Sequence, residues 1–136
     1  MIATCLALSL PATPASVRKA RVSVGETAAR LGASQRVVDD VRLCVSEAVS
    51  NVVRHAYGMR RGDVDVVVER DNGDLNVVVR DEGQGIRRRT SRSRRTTGGY
   101  GLKIIDSIAE RLTITSTREV GTEVRMTFSL PSAPTR

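Results

Sequence analysis

Glu47 and Asn51 stand four positions apart, and His55 follows after four more. On a helix, that spacing puts all three on one face, a turn apart. An amide oxygen such as that of Asn51 suits a hard cation like Mg²⁺. A carboxylate such as Glu47 can accept a proton from a hydroxyl or orient it. A second group, Asp81-Glu82-Gly83-Gln84-Gly85, ends a Val-rich stretch. A carboxylate there is partly buried and needs a donor, and the glycines permit a tight turn and close approach of a ligand. The third group, Gly98-Gly99-Tyr100-Gly101, opens a helical pattern. Free N–H groups and the helix dipole make such an end favourable to anions. Taken singly, each group also has a plainer reading: a solvated helix face with Arg54, a Gly-rich turn, a loop–helix junction.

Other chemistries are excluded by what is missing. There is no GxxxxGK[ST] phosphate loop. Gly83 and Gly85 lack the third glycine of a dinucleotide fingerprint because Arg88 stands there, and Gly99 and Gly101 lack it because of Ile104. No GxSxG elbow accompanies the single histidine, His55, which argues against a serine hydrolase. Two cysteines, Cys5 and Cys44, form no CxxC pair, so a zinc site is not expected. A reduced, cytosolic pair is expected, with Cys44 as a small core residue among Val41, Val45 and Ala48.

The elements that must position these groups follow from periodicity. At 136 residues the chain fits one domain, and no internal repeat is visible. Leu6, Leu8 and Leu10 alternate as in a strand, and the apolar start reads as strand rather than signal peptide because basic residues follow it instead of preceding it. Ser16 to Leu31 reads as a helix with Val17, Ala20, Val24, Ala28 and Leu31 on one face, although Gly25 interrupts it. Ser34 caps a second helix reaching about Tyr57, with Val38, Val41, Val45, Ala48, Val52 and Ala56 inward. Strands follow at Asp63–Arg70 and Leu75–Asp81 around an Asp71-Asn72-Gly73 turn. Glu82–Gly98 has no period and reads as a mobile loop. Gly99–Arg111 is a third helix, and Leu112–Thr117 and Thr122–Leu130 form a closing hairpin across Glu119-Val120-Gly121. Residues 131–136 read as a flexible tail. The order predicts an α+β, two-layer α/β sandwich with a mixed, mainly antiparallel sheet and helices on one face.

In their order and spacing the three groups resemble the GHKL, or Bergerat-fold, ATPase superfamily. Glu47-Ala-Val-Ser-Asn51-Val-Val-Arg-His55-Ala-Tyr57 is similar to the N box. Asp81-Glu-Gly83-Gln-Gly85-Ile86 is similar to the G1 box, and Gly99-Tyr-Gly101-Leu102 to the G2 box. Gly121-Thr122 resembles the Gly-Thr pair of a late strand. Leu10-Pro11, Ser16-Val-Arg-Lys-Ala-Arg21 and Leu31-Gly32 are similar to the opening of bacterial anti-sigma-factor serine/threonine kinases. The resemblance covers nearly the whole chain, as a histidine-kinase-like ATPase domain.

That resemblance implies ATP and Mg²⁺ as cofactors and a set of roles. Glu47 would be the general base acting on a Ser or Thr hydroxyl of an anti-sigma-factor antagonist. Asn51 would bind the metal. Asp81 would accept from the adenine amino group, with Gly83, Gly85 and Thr122 beside the nucleotide. Gly99, Tyr100, Gly101 and Leu102 would bring backbone amides to the phosphates. Residues 82–98 would be the ATP lid. For His55 and Tyr57, packing is the expected role. Implied partners are a sigma factor, an antagonist, or both, and a homodimer is compatible. The alternative is a regulator whose ATP only sets partner affinity. A histidine kinase fragment is disfavoured, because no acceptor histidine lies on a preceding dimerisation helix.

The charge sharpens one question. Lys and Arg outnumber Asp and Glu by 22 to 15, a net +7 that suggests nucleic acid or an anionic membrane. Six arginines fall within residues 87–95, and the rest of the chain holds 16 basic against 15 acidic residues. With no Trp and few aromatics to stack bases, nucleic acid is not the expected partner. No run of 18 apolar residues suggests a membrane span. Relatives more often carry an acidic or Pro-containing lid, so Arg87, Arg88 and Arg89 are read as contacts to phosphates or to an acidic partner, or as a solvated loop.

Overall fold

Alternating Val, Leu and Ile residues build a five-stranded sheet in the computed structural model, which describes residues 1–58, 60–83, 100–117 and 121–131. The elements run β1 (Ile2–Pro11), α1 (Pro14–Arg30), α2 (Gln35–His55), β2 (Asp63–Asp71), β3 (Asp74–Asp81), α3 (Tyr100–Ile108), β4 (Arg111–Thr117) and β5 (Gly121–Ser129). The sheet order is β1-β2-β3-β5-β4.

Every pairing is antiparallel, which corrects the expected mixed sheet. The reason is topological. β4 does run parallel to β3, as a strand–helix–strand crossover allows, but β5 inserts between them and pairs antiparallel with both.

One face of the sheet carries the core. Val64, Val66 and Val68 of β2, Leu75, Val77 and Val79 of β3, and Val124, Met126 and Phe128 of β5 are buried against α1 and α2. The predicted stripe of α2 is buried in full, together with Cys44 and Val49. Ser34 caps this helix by accepting from the Val37 N–H at 3.2 Å. Gly25 lies where α1 meets α2, and a Cβ there would run into the Arg42 side chain.

The opposite face is polar. Arg80 pairs with Glu123 at 2.8 Å, Arg125 with Glu69 at 3.1 Å, and Thr127 donates to Asn76 at 2.7 Å. Val78 lies between its register neighbours Val67 and Arg125 on this face and is fully buried.

Most boundaries differ from the sequence reading by a residue or two, and three of the differences have a local cause. α1 begins at Pro14, not Ser16, because proline's fixed φ suits the first helical position. The turn between β2 and β3 is only Asn72-Gly73, with Asn72 at φ 58 and Asp71 paired to Asp74. α3 ends at Ile108, not Arg111, because the Glu110 N–H donates to the Thr127 carbonyl at 2.9 Å and draws the chain into the sheet. The loop assigned to residues 82–98 falls outside the described residues from 84 onward, as do residues 132–136 of the tail.

Candidate nucleotide site

The C-terminal end of α2 abuts the turn that follows β3. A Cβ on Gly83 would collide with the Ala56 carbonyl, so glycine is what lets the two segments touch. The Tyr57 hydroxyl accepts from the Glu82 N–H at 2.9 Å and donates to the Asp63 carbonyl at 2.6 Å.

Asp81 is the last residue of β3 and is 8% exposed, on the helix-facing side. The Gly83 N–H donates to its Oδ1 at 2.8 Å, and the Thr122 backbone donates as well. Burial nevertheless pushes the carboxyl above its ordinary value, and the two hydrogen bonds only offset part of that. Thr122 pairs with Asp81 in register, and its Oγ1 lies 3.0 Å from the Ser116 Oγ on β4. Gly121 has φ 103, and a Cβ there would run into the Asp81 carbonyl.

Glu47 and Asn51 are both half-buried on α2. Asn51 Oδ1 is buried and has no hydrogen-bond partner among the described residues. Five and nine residues separate Asn51 and Glu47 from Ala56, roughly 7 and 13 Å along the helix axis. Asn51 and then Glu47 therefore lie progressively farther along α2 from the end that meets the Asp81 turn. Burial, followed by the charges of Asp40 and Glu47, pushes the Cys44 thiol up to about 12.

The remaining predicted residues divide. Leu102 is buried in the core beside Ile105. Tyr100 and Gly101 form the first turn of α3. Gly85, Gly99, Arg87, Arg88 and Arg89 lie outside the described residues. The packing role expected for His55 is corrected, since its side chain is exposed at the end of α2. Ser116 and the polar role of Tyr57 were missed. A serine in phase with Leu112 and Ile114 was the available signal for the first.

A cavity of about 800 Å³ opens beside the turn, lined by Tyr57, Arg60, Asp63, Asp81 and Gly83 among others, and does not reach Glu47 or Asn51. A smaller one of about 310 Å³ borders Asp81, Thr115, Gly121 and Thr122.

Residues 10–128 match the family model of the histidine kinase-like ATPase domain. The chain belongs to this family. The chain is similar to an anti-sigma F factor of Clostridium acetobutylicum, 31% identical over 115 residues, which cover 79% of this chain and 80% of that protein. The serine-protein kinase RsbW of Staphylococcus aureus is 27% identical over 134 residues, covering 88% of this chain and 83% of that protein. Among solved structures, the RsbU and RsbW domains of a Mycobacterium tuberculosis protein superpose with a TM-score of 0.71 at 24% identity. That match covers 96% of this chain and 34% of the other, and it supports the α+β fold. As a histidine kinase-like ATPase domain, the chain is an ATP-binding unit, and none of its described helices is long and apolar enough to cross a membrane.

Proposed function

We propose that this chain is a protein serine/threonine kinase of the anti-sigma-factor type, which uses ATP to phosphorylate an antagonist protein and which binds a sigma factor in the bacterial cytoplasm. The kinases and anti-sigma factors among its relatives support this reading. The observation that carries it is the buried Asn51 Oδ1, which has no partner among the described residues. A buried oxygen left unpaired costs roughly 1–3 kcal/mol, and a hard cation ligates such an oxygen well. Asn51 thus fits Mg²⁺, which when bound would neutralise charge on the phosphates.

The chain's own residues do the rest. Asp81 accepts from the adenine amino group, and Thr122, Gly83 and Gly85 border the base. The first turn of α3, with Tyr100, Gly101 and Leu102, offers backbone amides to the phosphates, and Gly99 before it is assigned to the same contact. Glu47 takes the proton from the attacking Ser or Thr hydroxyl. As that oxygen bonds to the γ-phosphorus, the bond to the bridging oxygen breaks and ADP leaves with the electron pair. Residues 82–98 serve as the lid, and Arg87, Arg88 and Arg89 meet phosphates or an acidic partner surface.

The test is labelling of a candidate antagonist with radiolabelled ATP. Glu47→Ala should retain ATP binding and lose phosphoryl transfer by about 10²–10⁴-fold. ATP binding without any labelling by the unaltered protein would favour the alternative, in which ATP only sets partner affinity.

A further inference from the structure

Tyr57 joins three segments through one hydroxyl. A phenol has one proton and two lone pairs, and here the proton goes to the Asp63 carbonyl while a lone pair receives the Glu82 N–H. Burial, with a smaller contribution from the Asp81 charge, raises the phenol above its ordinary value, so the donor proton stays in place. The ring lies over Gly62, where any Cβ would meet it. Asp63 starts β2, and its neighbour Val64 is the register partner of Asp81. Glu82 is followed by Gly83, whose N–H caps Asp81 Oδ1. The two-residue turn is thus tied to β2 and to the end of α2 at once, and the Asp81 carboxylate is bonded to the far end of that turn.

A ring held only for packing needs no hydroxyl, and this hydroxyl binds two backbone groups that flank the carboxylate. We infer that Tyr57 is a positioning residue, which fixes the Glu82–Gly83 turn, keeps the Gly83 N–H on Asp81, and so aims that carboxylate at the base of the nucleotide. The nucleotide part rests on the proposed role of Asp81, whereas the positioning part can be read without any ligand.

The experiment is Tyr57→Phe in the full chain, with two readouts. In the ligand-free protein, carboxyl ¹³C shifts follow the titration of Asp81. Loosening the Gly83 bond withdraws support from the charged form, so the Asp81 midpoint should move upward relative to the unaltered protein. An unchanged midpoint overturns the inference. In the second readout, ATP affinity should fall roughly tenfold, while a purine nucleoside triphosphate lacking the 6-amino group binds both proteins alike. If the midpoint moves but both nucleotides weaken equally, the adenine role of Asp81 fails and the positioning stands. Glu82→Pro, which deletes the donor and leaves Tyr57 intact, should give the same midpoint shift and serves if the phenylalanine variant does not fold.

Discussion

Asp81 and Thr122 are the last pair of the β3–β5 ladder, facing each other where β3 stops and β5 begins, and the Thr122 backbone donates to the Asp81 carboxylate. Even so, the folded protein holds the Asp81 proton more tightly than an unfolded chain would, because burial outweighs the bonds that favour the charge. Stability from protonation is therefore fully present below the ordinary value of 3.8 and lost as pH rises through the folded value. At neutral pH the ionised carboxylate destabilises the fold. Asp81→Asn should raise the melting temperature of the nucleotide-free protein at pH 7, and the gain should shrink as the pH falls toward 3.8. The same variant should lose ATP affinity by at least about tenfold. Thermal melts across this pH range, beside ATP titration at pH 7, check both.

Asn51→Ala removes an oxygen that has no partner among the described residues. The nucleotide-free protein should melt no lower than the parent, since the lost oxygen has no bond among the described residues. Magnesium-dependent ATP binding should disappear. Calorimetry with and without Mg²⁺ measures the second effect, and a large drop in melting temperature would contradict the first.

Gly121→Ala should destabilise by about 2 kcal/mol. Its φ of 103 strains any side chain, and the added carbon would enter the Asp81–Glu82 backbone. Gly73→Ala is the control, because nothing lies within 4 Å of a Cβ there. Urea midpoints for the two variants should separate clearly.

Cys44 is wholly buried and its thiol is pushed up to about 12, whereas Cys5 is partly exposed. The thiolate is the reactive form. Iodoacetamide at pH 8 should therefore add once to the native protein, at Cys5, and twice only after unfolding. Mass spectrometry of the intact chain counts the adducts.

Much of this arrangement was legible because it is periodic. The α2 stripe and the alternation of Val124, Met126 and Phe128 state which faces are buried, and Asn72-Gly73 states where a strand must reverse. The spacing of Glu47 and Asn51 places both on one helix face. What was illegible depends on distant partners. The end of α3 is decided by Thr127, seventeen positions beyond Glu110. The role of Tyr57 is decided by Asp63 and Glu82, six and 25 positions away. Alternation shows that Arg80 and Arg125 leave the core, yet not that they find Glu123 and Glu69, 43 and 56 positions off.

The Asn72-Gly73 turn sits at the opposite end of β3 from Asp81. Side chains alternate along a strand, so a slip of one residue exchanges its two faces. An insertion in that turn that slipped β3 by one residue would present Arg80 to the helices and send Asp81 to the salt-bridged side. A reversal of two residues at the far end of β3 thus acts as a remote gauge for Asp81, and loop grafting there would have to conserve its parity.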